Sequence, residues 1–243
     1  MRAAWLVLVA GAAGCLGDLD PEWQLDHGRI IAVRATPPHI VAGDKLVLDA
    51  FLAHKGAPTD VEAPTAAIVS PRAPASLMGV SVALEGSAWT VTAPDEAVLA
   101  AARTELMLDG SAPVPLEIGM TFGAAAAPLV ATKFVFFGDA VDNPTITNPL
   151  VAGAPPAASL VIPTDTDVPL AVDADPTDKI NWLTSCGTLH DDNEVKAFVH
   201  VLPADPMSGE LAVVRRTAAG GVAFERWPIM TTTAGSGAGS GSN

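Results

Sequence analysis

Residues 114–122 read Val114-Pro115-Leu116-Glu117-Ile118-Gly119-Met120-Thr121-Phe122, with Leu116, Ile118, Met120 and Phe122 spaced two apart. Successive side chains of a strand point to opposite faces, so this spacing places four large apolar groups on one face. The segment reads as a half-buried β-strand. The same period recurs upstream in Ile31, Val33 and Ala35, in Leu46, Leu48, Ala50 and Leu52, in Val80, Val82 and Leu84, and in Trp89 with Val91. Lys133 to Phe137 closes this first block, residues 29–140. Pro37-Pro38 and Gly43-Asp44 interrupt it where the chain must turn. Several short strands punctuated by Pro and Gly predict an all-β sandwich.

One segment departs from the pattern. Thr92-Ala93-Pro94-Asp95-Glu96 leads into the Ala- and Leu-rich stretch 97–108, and Gly110 follows. A Thr cap, a first-turn Pro, acids at the positive end of the dipole and a Gly past the last turn predict one short helix over 94–108, inserted in the sandwich. Further on, residues 143–164 carry no charge, but Pro144, Pro149, Pro155, Pro156 and Pro163 argue against a membrane helix. Residues 141–158 are expected to form a semi-rigid Pro-rich connection that runs into the first edge of a second block, 159–233. Apolar runs from Leu160–Ile162 to Val222–Ile229, separated by turns rich in Asp, Pro and Gly, predict a second sandwich in tandem. Residues 234–243, made of Gly, Ser, Ala and Asn, read as a flexible tail.

The chain has 13 Lys plus Arg against 27 Asp plus Glu, a formal net charge of −14. That balance excludes a nucleic-acid binder, which needs a basic stripe to displace phosphate counterions. Two cysteines exclude a disulfide-framed scaffold. A hydrophobic content of 49% is enough for a core and speaks against general disorder. The first block holds seven cations against eleven acids, and residues 141–233 five against twelve, so the excess is heaviest on the distal domain. Arg215-Arg216, the one basic pair, is expected to face solvent at a strand end.

At the N-terminus, Met1-Arg2 precedes an uncharged run from Ala3 to Gly17, shorter than the about 20 residues a membrane span takes. A basic start, a short apolar stretch and the small residues Ala12-Ala13-Gly14 before Cys15 form a secretory signal, residues 1–14. The Ala12-Ala13-Gly14-Cys15 junction resembles a bacterial lipobox, which implies a covalent lipid on Cys15; an ordinary signal peptide cut elsewhere is the alternative. Acyl chains contribute about 0.8 kcal/mol per buried CH₂, so a multiply acylated cysteine holds a protein stably on a membrane. Leu16 rather than Asp follows the cysteine, and by resemblance to the sorting signal of enteric bacteria this implies the outer membrane. Residues 15–28 carry four acids and no Lys or Arg, and read as an acidic tether of at most about 45 Å. With Cys15 acylated, Cys186 is a lone thiol: a packed core residue, an intermolecular disulfide partner or a reactive group.

Lys179-Ile180-Asn181-Trp182, Cys186-Gly187-Thr188-Leu189, Ala197-Phe198-Val199 and Gly209-Glu210-Leu211-Ala212-Val213-Val214 with the hairpin Gly220-Gly221 resemble bacterial immunoglobulin-like and polycystic-kidney-disease-type repeats. Ile31-Ala32-Val33-Arg34-Ala35 with Ala42-Gly43-Asp44-Lys45-Leu46 is similar to the opening of such a domain. Together with the lipobox, the chain resembles envelope lipoproteins of myxobacterial type. The resemblance implies two immunoglobulin-like β-sandwich domains in tandem, with Trp182 as core tryptophan beside a buried Cys186, and no catalytic residue. Antibody-type domains differ in having paired cysteines and a corner tyrosine, whereas this chain has no Tyr.

No hydrolase elbow, zinc-protease, phosphate-loop or dinucleotide motif occurs, and the five histidines, at 27, 39, 54, 190 and 200, lack metal-site spacing. Asp173, Asp175 and Asp178 are candidate calcium ligands, since calcium prefers loop carboxylates, but they lack the Gly and terminal Glu of an EF-hand loop. Asp is also simply a good turn former. The reading that results is a non-catalytic, lipid-anchored envelope protein, active in binding, adhesion or envelope assembly, with an envelope protein or surface glycan as partner. The alternative is a calcium-dependent carbohydrate-binding or hydrolytic surface protein, the latter needing two carboxylates at a set separation.

Overall fold

Every alternating segment of the first block finds an antiparallel partner in the computed structural model, which describes residues 21–232. The signal segment, Cys15, most of the acidic tether and the Gly/Ser tail lie outside the described residues. The first block forms β1 (Arg29–Thr36), β2 (His39–Ile40), β3 (Lys45–His54), β4 (Ala57–Glu62), β5 (Ala66–Val69), β6 (Ser81–Glu85), β7 (Ala88–Thr92), α1 (Glu96–Glu105), β8 (Val114–Phe122) and β9 (Leu129–Phe137). One sheet runs β1-β3-β7-β6, with β4 added on β3, and the other β2-β9-β8-β5. The second block forms β10 (Thr147–Val151), β11 (Leu160–Pro163), β12 (Asp167–Asp173), β13 (Lys179–Thr184), β14 (Thr188–His190), β15 (Lys196–His200), β16 (Ser208–Arg216) and β17 (Val222–Thr232). Its sheets run β10-β12-β15-β14 and β11-β17-β16-β13.

The two blocks therefore repeat one strand order. In each, the opening strand is split, its first half antiparallel in one sheet and its second half parallel to the last strand of the other, as β2 on β9 and β11 on β17. That order is the immunoglobulin-like sandwich. The protein is all-β, two such domains in sequence, with one α-helix among the described residues.

The helix lies in the expected segment with a different start. Asp95, not Thr92, is the cap: its carboxylate accepts from the Val98 backbone N–H at 2.9 Å, and Pro94 stands before the cap rather than in the first turn. Leu99 and Ala102 are buried, and Glu105 accepts from the N–H groups of Ala75 and Ser76, tying the helix to a short 3₁₀ turn, Ala75–Leu77. The charge-free run 143–164 holds β10 and β11, not a helix.

Each sandwich has its own core, one around Leu48, Leu116, Ile118 and Phe122, the other around Trp182, Val199 and Val213. A third apolar cluster joins them: Leu25, Ala32, Phe51 and Ala53 meet Leu183, Ala212, Val214 and Val222. The rings of Phe51 and Phe224 stack at 4.5 Å and 4°, and the Arg34 guanidinium lies 4.5 Å over Phe224. Burying one Phe side chain contributes roughly 1.5–3 kcal/mol. The sandwiches are thus docked face against face.

Two further segments depart from expectation. Residues 21–28, read as part of a free tether, are laid on the second sandwich: the Leu25 N–H donates to the Thr184 carbonyl at 2.9 Å, and the Thr184 N–H to the Trp23 carbonyl at 2.9 Å. Trp23 and Leu25 supply the apolar contacts that make this favourable, and they cover the edge of β13, which has a partner strand on one side only. In the connection, the Asn143 amide donates to the Ala35 carbonyl and accepts from the Val222 N–H, both at 2.8 Å, so its start is fixed to both domains.

Candidate functional site

The docking is held by polar contacts around the third cluster. Glu210 on β16 reaches β4, where one carboxylate oxygen accepts from the Thr59 N–H at 2.6 Å and hydroxyl at 2.9 Å; Arg226 donates to the other oxygen at 2.5 Å. The β16–β17 hairpin is gripped from the first sandwich: Lys133 Nζ donates to the Gly220 carbonyl at 2.5 Å, and His39 Nε2 to the Ala219 carbonyl at 2.7 Å. His39 is 5% exposed, stacks on Phe136, and has Nδ1 2.7 Å from the Asp139 carboxylate. At Gly220, φ is +78° and an added Cβ would stand 3.0 Å from the Phe136 ring, so this turn requires glycine.

Several clefts flank the contact, two of them sizeable. The larger, about 550 Å³, lies between the β3–β4 turn and the β16–β17 ladder, with Leu25, Pro58, Pro206, Glu210, Ile229 and Met230 in its lining. That volume suits a ligand or a peptide side-chain cluster. Glu210 is the buried acid of its wall, and both oxygens are occupied, so it is a strut between domains rather than a free acid or base. The smaller cleft, about 370 Å³, opens beside the β16–β17 turn and is lined by Lys133, Lys179, Arg216, Thr177 and Thr217.

The residues singled out from the sequence lie elsewhere. Asp173 accepts from the Asn148 amide at 2.7 Å, Asp175 accepts from the Thr177 N–H and hydroxyl, and Asp178 accepts from Arg215 Nε at 2.6 Å. The Thr177 donors hold the Asp175 carboxyl below the usual carboxylate range. The three do not converge, and no group of three or more His, Cys, Asp or Glu able to hold a metal is found among the described residues. Trp182 is fully buried, its indole N–H donating to the Glu194 carbonyl at 3.1 Å. Cys186 is 1% exposed, and its thiol donates to the Pro206 carbonyl. Burial pushes that thiol pKa up, away from the thiolate a nucleophile needs. Arg215 and Arg216 do not face solvent as a pair: the first is matched to the nearly buried Asp178, and the second donates across the interface to the Ile31 carbonyl at 2.6 Å.

The docking residues escaped the sequence reading, although a signal exists. Ala50 to Ala53 and Leu211 to Val214 are apolar without interruption, and a strand apolar on both faces is a strand covered on both faces.

No family model matches the chain, and no curated protein matches it. Among solved structures, a chimeric titin Z1Z2 tandem is similar over 85% of this chain and 100% of its own, at 10% identity and a TM-score of 0.30. The N-terminal Ig1-2 module of the Drosophila receptor protein tyrosine phosphatase DLAR matches over 84% and 98%, at 10% identity and a TM-score of 0.29. A protocadherin GammaB4 extracellular domain matches over 86% and 34%, at 12% identity and a TM-score of 0.26. At such scores the fold assignment rests on the strand order, not on these likenesses.

Proposed function

We propose that this chain is a non-catalytic binding protein of the bacterial envelope, held to the outer membrane by lipid on Cys15, and that it takes an apolar segment of another envelope protein into the larger cleft between its sandwiches. The observation that carries the binding reading is the docked pair itself, which turns two sandwich faces into one frame around a preformed apolar cleft. Frames of this kind present a site without reorganisation, which lowers the entropic cost of association. A surface glycan suits the site less well: the cleft lining has no aromatic ring besides His54, and Trp23, Trp89, Trp182 and Trp227 are packed on the sandwich cores or buried. A calcium site at Asp173, Asp175 and Asp178 would require these carboxylates, now turned to Asn148, Thr177 and Arg215, to converge.

Met230 is 60% exposed on the cleft rim, and Ile68 is 63% exposed on the first sandwich, outside the cleft lining. A protein that co-purifies from native membranes with the wild type and with Ile68→Glu, but not with Met230→Glu, places binding in the cleft. Equal retention by both variants overturns it. For the anchor, labelling with an alkyne fatty acid is expected to vanish in Cys15→Ser; absence of label on the wild type removes the anchor from the proposal. No helix among the described residues is long and apolar enough to cross a membrane.

A further inference from the structure

The smaller cleft runs against the charge of the whole molecule. In a chain with twice as many acids as bases, its lining holds Lys133, Lys179 and Arg216 and no Asp or Glu. At physiological ionic strength charges are screened over about 8 Å, so these neighbours outweigh the distant acidic surface.

Four other cations at least partly shielded from solvent are each matched to a carboxylate: Arg34 to Asp49, Arg103 to Glu96, Arg215 to Asp178 and Arg226 to Glu210. Lys133, Lys179 and Arg216 have no such partner among the described residues. Lys133 donates to the Gly220 carbonyl, and Arg216 to the Asn181 side-chain oxygen at 2.5 Å and the Ile31 carbonyl, all neutral acceptors. Burial together with the Arg216 charge brings the Lys133 pKa down to about 8. Two part-buried cations of like sign, desolvated and without a counter-charge, are unfavourable by themselves. Each keeps unused donors, because an ammonium has three protons and a guanidinium five. Lys179, exposed at the start of β13, and the Thr217 hydroxyl, which accepts from the Gly221 N–H and keeps its own proton, complete the donors of the lining, whereas the Thr177 hydroxyl is turned to Asp175.

We propose that this cleft binds a multivalent oxyanion of the phosphate or sulfate class, clamped between Lys133 of the first sandwich and Lys179 and Arg216 of the second. Because the cations come from both domains, an anion seated there bridges them and stabilises the docked pair. The site is independent of the protein-binding cleft and stands or falls without it.

The test uses the purified chain with sodium sulfate, whose charge does not change near neutral pH, compared with sodium chloride at equal ionic strength. Sulfate is expected to raise the melting temperature of the wild type over chloride, and calorimetry to show saturable binding. Lys179→Gln removes an exposed side chain with no role in the core; it is expected to weaken sulfate binding about tenfold while leaving the melting temperature in chloride unchanged. Lys133→Gln is expected to weaken it further. Equal melting in sulfate and chloride, or equal affinity in the wild type and Lys179→Gln, overturns the proposal. Inorganic phosphate and vesicles containing phosphatidylglycerol separate the sources. Binding of phosphate alone identifies a free anion, and vesicle binding lost in Lys179→Gln identifies a headgroup.

Discussion

β8 and β16 occupy the same place in their sandwiches, β8 between β9 and β5 and β16 between β17 and β13, yet they are buried differently. β8 buries every second residue from Val114 to Phe122, and the residues between are half-exposed. β16 buries Glu210, Leu211, Ala212, Val213 and Val214 in succession. The inner faces do the same work, Ile118 in one core and Val213 against Trp182 in the other. The outer faces differ because only that of β16 meets another domain. Equivalent strands in a repeated fold thus carry different sequence patterns when one has a neighbour, and the pattern reports the neighbour, not the fold.

The largest test of that contrast attacks an inner face. Trp182→Ala is expected to cost about 3–5 kcal/mol, unfolding the second sandwich while the first persists, seen in calorimetry as two transitions. Next, Ala212→Asp puts a charge on the outer face of β16, against Phe51 and its neighbours; an unpaired buried charge costs about 3 kcal/mol. The sandwiches are expected to separate with both cores intact, read as a larger radius in small-angle scattering with unchanged far-UV circular dichroism.

A pH series sharpens the interface from another side. The folded Lys133 pKa lies below its ordinary value, so between about pH 8 and pH 10 the unfolded chain binds the extra proton and stability in chloride rises with pH. The gain, reduced for the exposure that Lys133 retains, is about 2 kcal/mol. It is read as the difference between the wild type and Lys133→Met, which cancels the opposite contribution of Cys186, whose raised thiol pKa makes stability fall as pH rises; a difference that is flat over that range would contradict the assignment. Tyrosines do not obscure it, since the chain has none. The smallest effect completes the contrast: Thr121→Asp, on the half-exposed outer face of β8, is expected to change stability by no more than about 0.5 kcal/mol, and a cost like that of Ala212→Asp would erase the distinction between the strands.

The interior of each sandwich was readable because a period of two needs only local residues; Leu116 to Phe122 and Leu46 to Leu52 state which side faces the core. The helix was readable from its Ala-rich body and following Gly, while its cap was misplaced because Thr92 and Asp95 are both good cap residues and only geometry chooses. Docking was not read, since Phe51 and Ala53 sit on the face the Leu46–Leu52 period leaves over. Trp23 and Leu25 were hidden among acids that dominate a compositional reading. The cationic cleft had no local pattern to find: Lys133 and Arg216 are 83 positions apart and meet only because the domains do.

The bridge between Gln24 and Thr184 sets the route by which mechanical load enters the molecule. Tension applied ahead of Pro21 reaches β13 of the second sandwich before β1 of the first, although β1 comes first along the chain. Two hydrogen bonds and the buried Leu25 side chain must then yield in shear before the load passes to β1, whose first pair with β3 is Arg29 opposite Ala53. Until that seam yields, a pull from the N-terminal side is borne by the second sandwich, and the first event under force is the release of residues 23–25 from the β13 edge, not the opening of a sandwich.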